Sequence, residues 1–171
     1  MDEKQLVLNA KNGDKDAFCS LYSLYKNRLY RYALYRLGSP EDAEDAVSDC
    51  VLSAFKQMDK IKRPEAFSSW LFTILRFSCN AIINRQAISR KTADIDEMAE
   101  TLSVSDESIT EKTELHQALD ILTDDEREIV LMSVVLGLNS KEVAKITDYT
   151  SGAVRSKLSR SLKKMKDFLG D

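Results

Sequence analysis

Apolar and aromatic side chains fall at Phe18, Leu21, Tyr22, Tyr25, Leu29, Tyr32, Ala33 and Leu37, the i, i+3, i+4, i+7 spacing that gathers them on one face of a helix. Gly38 marks the end of that helix. Ser39-Pro40-Glu41-Asp42 then supplies an N-cap, a proline at the first helical position and acids in the first turn, where the helix dipole favours negative charge. A second helix carries Ala43, Val47, Cys50, Val51, Ala54 and Met58 on one face. Past the basic loop Lys60-Ile61-Lys62-Arg63-Pro64, a third pattern runs through Phe67, Trp70, Leu71, Ile74, Leu75 and Ile82. These three predict a compact N-terminal bundle over residues 1–86.

Between 87 and 113 the periodicity fades, aromatics vanish, and acids, Ser and Thr accumulate, as expected of an acidic, flexible linker. Periodicity resumes at Leu115, Leu119 and Leu122. Thr123-Asp124-Asp125-Glu126 has the form of a capping box, opening a helix through Leu136 that stops at Gly137. Asn139-Ser140-Lys141-Glu142 opens a short helix to about Thr147, in which Val143, Ala144 and Ile146 can pack. A turn at Asp148-Tyr149-Thr150 leads to a last helix from Ser151, striped by Val154, Leu158, Leu162, Met165 and Leu169. The expected fold is all-α: an N-terminal helical bundle and, over 114–171, a four-helix domain ending in a helix-turn-helix, joined by the linker.

Composition supports that reading. The 171 residues are 43% hydrophobic and 31% charged, enough to build a core and wet a surface, which excludes disordered, collagen-like and membrane classes. Five glycines and two prolines are far fewer than the roughly 12% of an average chain, too few for the turns of a sandwich or barrel. Cys19, Cys50 and Cys79 are odd in number and widely spaced, which fits reduced, buried thiols better than a disulfide framework or a metal pair. The start MDEKQLVLNAKNGD has no apolar stretch of signal-peptide length, and the run Ile129 to Leu138 is half a membrane span. A cytoplasmic protein without membrane insertion is expected.

Charge changes the picture only when it is mapped. The net charge is −3, yet Ser151 to Lys166 holds six basic residues and no acid, while 87–113 holds seven acids against three bases. One concentrated basic helix is hidden in an acidic chain.

Catalysis has little to draw on. His116, the one histidine, has no nucleophile at readable spacing and is expected to face solvent; phosphate-cradling and zinc-hydrolase strings are absent. No cofactor and no metal are implied. The run Glu41, Asp42, Glu44, Asp45 with Asp49 one turn on reads as a metal site, a partner-facing surface or a solvated face, and its carboxylates spread around the helix instead of converging. The last helix is sharper. Its slim start, Ser151, Gly152 and Ser156, with Arg155 and Ser159, suits entry into a major groove about 12 Å wide, where arginine pairs bidentately with guanine. Lys157, Arg160, Lys163 and Lys164 would meet phosphates; the plain alternative is a charged surface helix. In the N-terminal half, Lys60, Lys62, Arg63, Phe67, Trp70, Phe72, Arg76, Phe77 and Arg85 interleave cations and aromatics, as capture of unstacked bases requires, although Phe67, Trp70 and Leu71 serve equally as core.

The order of these pieces carries a resemblance. The string from GDKDAFCSLYSLY to SPEDAEDAVSDCVLSAF, followed by RPEAFSSWLFTIL, resembles the sigma-two domain of bacterial RNA polymerase sigma factors of the extracytoplasmic-function group. The string LDILTDDEREIVLMSVVLGLNSKEVAKITDYTSGAVRSKLSRSLKKMKDFL looks like their sigma-four domain. The resemblance implies core RNA polymerase and promoter DNA as partners and admits an anti-sigma factor. It places Ala43-Glu44-Asp45, within the acidic set Glu41, Asp42, Glu44, Asp45 and Asp49, on the polymerase-docking surface. The minus-ten element falls to Lys60, Lys62, Arg63, Phe67, Trp70, Arg76, Phe77, Asn80, Asn84 and Arg85, and the minus-thirty-five element to the helix from Ser151. Departures from the family pattern stand at Ser48, Phe77 and Thr123, and the segment Asn80 to Gln86 is poorer in arginine than is usual. Two function classes follow: an initiation factor lending promoter specificity to polymerase, or a stand-alone helix-turn-helix regulator. The N-terminal acidic helix, which a plain regulator does not need, separates them.

Overall fold

A computed structural model describes residues 1–96 and 113–170, and among these no strand is present. The chain opens with a helix the periodicity does not announce, α1 (Glu3–Lys11), capped by Asp2, whose carboxylate accepts from the Gln5 N–H at 2.8 Å. It is short, and buries only Val7 and Ala10. What holds it is tertiary: Glu3 accepts a short hydrogen bond from the Tyr25 hydroxyl on α2 (Lys15–Leu37). Asp14 caps α2, and Gly38 closes it in the left-handed region at φ 76°, a conformation that a side chain would strain.

Ser39 and Pro40 begin α3 (Pro40–Gln57) as expected, with the Ser39 hydroxyl accepting from the Asp42 N–H. The buried face of α3 is Ala43, Ala46, Val47, Cys50 and Ala54. Side chains this small let α2 and α4 (Phe67–Asp96) approach α3 closely. Tyr25 sits edge-on to Phe67 and Phe72, and the Arg28 guanidinium covers its ring at 4.5 Å. Helix α4 is long and apolar enough, by length and composition, to cross a membrane between Pro64 and Thr92, yet Phe67, Leu71, Phe72, Leu75, Cys79 and Ile82 spend that apolar surface on the bundle core. It continues to Asp96, so residues 87–96 of the expected linker are helical; residues 97–112 lie outside the described residues. Cys50 and Cys79 are buried, and burial pushes both thiols up to about 12, whereas Cys19 is exposed, against the expectation of three buried thiols.

The C-terminal half begins with α5 (Glu114–Asp120), capped by Thr113. The expected capping box is present at Thr123 and Glu126 and starts α6 (Asp124–Val130); a second, at Asn139 and Glu142, starts α7 (Ser140–Ile146). Between them Leu131–Val135 forms a wide turn in which the Leu136 N–H reaches back five residues to the Leu131 carbonyl. Arg127 lies across the end of α5, donating to the carbonyls of Leu119 and Leu122 at 3.0 Å each, which supplies partners for a helix end. The last helix, α8 (Ser151–Leu169), starts at Thr150 and stops at Gly170. Turn Thr147 to Thr150 between α7 and α8 completes the helix-turn-helix.

The two halves pack against each other, α2 on the wide turn and α4 on α7, and the buried apolar cluster runs through both. Because Leu75 is fully buried where α4 meets the bundle, Leu75→Ala should cost about 2 to 5 kcal/mol, read as a lower denaturant midpoint in equilibrium unfolding.

Candidate functional site

The acidic set of α3 is divided by its helix. Glu41, Glu44, Asp45 and Asp49 are exposed, while Asp42 is half-buried and accepts from the Gln86 side-chain amide of α4 at 2.6 Å. Asp49 stands at the rim of an open groove of about 650 Å³ between α3 and α4, whose apolar floor is Leu52, Trp70, Ile74 and Phe77. Phe77 is 61% exposed and Leu52 58%. These two exposed apolar side chains stand in the groove beside the carboxylate of Asp49.

The residues expected at the minus-ten element do not form one patch. Lys60, Lys62 and Arg63 are exposed on the loop before α4, and Asn84 and Arg85 are exposed near its middle. Phe67 is buried in the core, edge-on to Tyr25 and tilted against a half-buried Trp70, so it is not available for stacking on a base. Phe77 belongs to the groove. Arg76 faces a third direction, toward the C-terminal half, and Asn80 one turn on accepts from Arg36 of α2.

There a cluster forms that periodicity could not reveal. Glu128 of α6 is buried, and one carboxylate oxygen takes a short charged hydrogen bond from Arg76 Nε while Arg36 Nη1 lies 3.7 Å away. Arg36 also donates to Asn80 at 2.7 Å and to the Tyr32 hydroxyl at 3.2 Å, and Arg76 donates to the Ile146 carbonyl at 3.2 Å. Burial opposes the Arg36 charge, but Tyr32 and Glu128 outweigh it and raise its pKa; burial pushes the Tyr32 hydroxyl well up. The His116 ring packs at a tilt against Tyr35 of α2, ring centres 4.7 Å apart, its Nδ1 paired with the Thr113 hydroxyl. His116, expected to face solvent, is half-buried at the contact between halves. Arg36 and Glu128 each sit beside apolar neighbours with no sequence signal to distinguish them from surface charges.

On α8, Arg155, Ser156, Ser159 and Arg160 are exposed together along one shallow face. Arg155 is steadied by Ser140, whose hydroxyl accepts from Nη1 at 3.3 Å. Ser151 and Gly152 are half-buried at the tip, and Lys163 is exposed. Two further cations have protein partners: Lys157 lies over the Tyr149 ring at 5.0 Å, and Lys164 pairs with Glu126 at 2.8 Å, while Lys166 is exposed. Tyr149 in turn donates to Asp125 at 2.6 Å, which raises its pKa. The Lys164 ammonium and the Thr123 N–H hold the Glu126 carboxyl at about 2.

The sequence matches Sigma-70 region 2 over residues 21–90 and Sigma-70, region 4 over residues 112–165. It is 30% identical to RNA polymerase sigma factor SigV of Bacillus subtilis over 142 residues, which is 83% of this chain and 84% of that protein. The chain belongs to the extracytoplasmic-function group of RNA polymerase sigma factors. ECF RNA polymerase sigma factor SigW of the same organism is 24% identical across 98% of this sigma factor and 97% of its own length. The fold is that of sigma factor RpoE from Bartonella quintana, solved with the anti-sigma factor NepR: TM-score 0.74 at 22% identity, covering 89% of this chain and 96% of that one.

Glu126 yields a signed pH dependence. Its carboxyl is depressed from an ordinary value near 4.5 to about 2, so its contribution is complete above about pH 5 and is lost as pH falls toward 2. The melting temperature of Glu126→Gln should lie below that of the natural protein at neutral pH, and the gap should close on acidification through that window.

Proposed function

We propose that the chain works as a two-handed initiation factor, with residues 1–86 docking on core polymerase and taking the minus-ten element, 114–171 taking the minus-thirty-five element, and 87–113 connecting them. The protein is an RNA polymerase sigma factor: it binds core polymerase and promoter DNA and directs promoter-specific initiation. The observation that carries this is the presence of both sigma-70 regions, in order, on one chain. It acts in the cytoplasm, where polymerase is, and performs no catalysis of its own. An anti-sigma factor is a further partner, as one is for RpoE of Bartonella quintana.

Polymerase docking falls to the exposed carboxylates Glu41, Glu44, Asp45 and Asp49, with Asp42 holding the surface in place through Gln86. The neighbouring groove with Trp70 and Phe77 extends that surface with apolar area, and rim charges of this kind guide a partner more than they hold it. Minus-ten contacts fall to Lys60, Lys62, Arg63, Asn84 and Arg85, which are exposed, to Arg76 once the C-terminal half moves away, and to Asn80, which is half-buried beside Arg36. Minus-thirty-five reading falls to the α8 tip: Arg155, Ser156 and Ser159 toward base edges, Arg160 and Lys163 toward phosphates.

Run-off transcription with core polymerase on a promoter library tests the assignment: specific transcripts are expected, and tight sequence-specific duplex binding by the free chain with no transcripts would identify a stand-alone regulator. Reversing Glu44 and Asp45 to lysine should weaken competition for core polymerase while leaving helical content intact, because exposed charges contribute little to folding. On DNA, Arg155→Ala should relax preference at one minus-thirty-five position by about 1 to 3 kcal/mol, whereas Lys163→Ala should weaken all sequences alike and lower the salt slope by about one ion. A uniform loss from Arg155→Ala across a randomised element would make Arg155 a phosphate clamp.

A further inference from the structure

The contact between the halves joins surfaces of opposite charge. On the N-terminal side stand Arg36 and Arg76, with Asn80 beside them. On the C-terminal side a recess of about 300 Å³ is lined by Asp125, Glu128, Asp148 and Tyr149, with Arg76 reaching into it. Two guanidiniums converge on one carboxylate oxygen, whose side chain is 8% exposed, and the Arg36 side chain is 11% exposed. Paired, delocalised guanidiniums with a neutral amide alongside are the donor set that recognises phosphate as readily as carboxylate. If Glu128 departs, two like charges are left facing each other on α2 and α4, and an oxyanion is what restores the balance. Both flanking acids, Asp125 and Asp148, leave with it, because they belong to the C-terminal half.

We propose that Arg36, Arg76 and Asn80 form a binding site for a backbone phosphate of promoter DNA, and that Glu128 occupies it as a carboxylate surrogate when the two halves are packed together. Packing and DNA engagement at this site then exclude one another, and the Glu128 contact sets the fraction of protein open to DNA. The tilted Tyr35–His116 ring pair, at 4.7 Å, belongs to the same contact between halves and breaks with it. The site adds Arg36 to the minus-ten surface. It rests on the sigma-factor reading of α4 given above.

The experiment uses the full chain and a fluorescent single-stranded oligonucleotide carrying the minus-ten sequence of a promoter that the natural protein transcribes with core polymerase. Failure of the natural protein to transcribe any promoter would sink the sigma reading itself, before this test begins. Glu128→Gln keeps shape and hydrogen bonding but removes the competing charge, and should bind the oligonucleotide about tenfold more tightly, since apparent affinity rises as the open fraction rises. Adding Arg76→Gln should abolish that gain. Equal tightening in the double variant would show that the arginine is not the phosphate ligand, and unchanged affinity in a folded Glu128→Gln would show that Glu128 does not compete. A measurement that leaves Arg36, Arg76, Asn80 and Glu128 unsubstituted does not depend on the folding of those variants: with spin labels on Cys19 and on a cysteine replacing exposed Lys163, the distance between halves should lengthen when the oligonucleotide binds. An unchanged distance with the oligonucleotide bound would overturn the proposal.

Discussion

One carboxylate, Glu128, lies between two guanidiniums from the other half of the chain, and the relation of the halves depends on it. Removing a charge from water costs several kcal/mol, which a buried pair regains only with good geometry and satisfied neighbours. Here the neighbours are present: Asn80 and Tyr32 accept from Arg36, and the Ile146 carbonyl accepts from Arg76. Such a contact is steeply sensitive to the loss of any member and adds little over an apolar substitute while whole. It therefore suits a joint that must close in one alignment and still open, better than it suits permanent adhesion.

The long helix α4 distributes its tasks by face. Phe67, Leu71, Leu75 and Ile82 go to the core; Trp70, Ile74 and Phe77 line the open groove against α3; Arg76 turns to the C-terminal half, with Asn80 one turn on holding Arg36 of α2. A rigid helix that serves a core, a docking groove and an inter-half contact links them mechanically, since a shift that suits one face is felt by the others. The small residues of α3 make this compact, because they allow α4 to approach without a thick intervening layer.

The basic helix α8 is less uniformly available than its charge suggests. Lys164 is held by Glu126 and Lys157 by the Tyr149 ring, so two of its cations brace the helix-turn-helix, while Arg155, Arg160 and Lys163 remain exposed. Both capping-box glutamates stand in first turns, where carboxylates complement the helix dipole, and Glu126 then serves a second time as the partner of Lys164. The net charge of −3 leaves DNA attraction to these local features.

Local chemistry was legible along the chain. The Ser39-Pro40 start, the Thr123 and Asn139 capping boxes and the glycine stops at 38 and 137 are each set by interactions within a few residues, so they could be read without a partner segment, whereas the α8 stripe was only partly right: Val154 and Met165 are buried, Leu162 and Leu169 are exposed, and Ser161 is buried in their place. The all-α class, the order of helices and the family followed from them. Helix α1 escaped because its two buried residues carry too little pattern, and what holds it is Tyr25, far along the chain. The fate of individual charges was decided only by tertiary contact: Arg76 and Lys164 carry the same sequence signature as exposed Arg155, yet each has a carboxylate from another helix against it. Electrostatic pairing acts through space and ignores periodicity, so a sequence states how many charges a helix bears, and only the fold determines which of them are left for a partner.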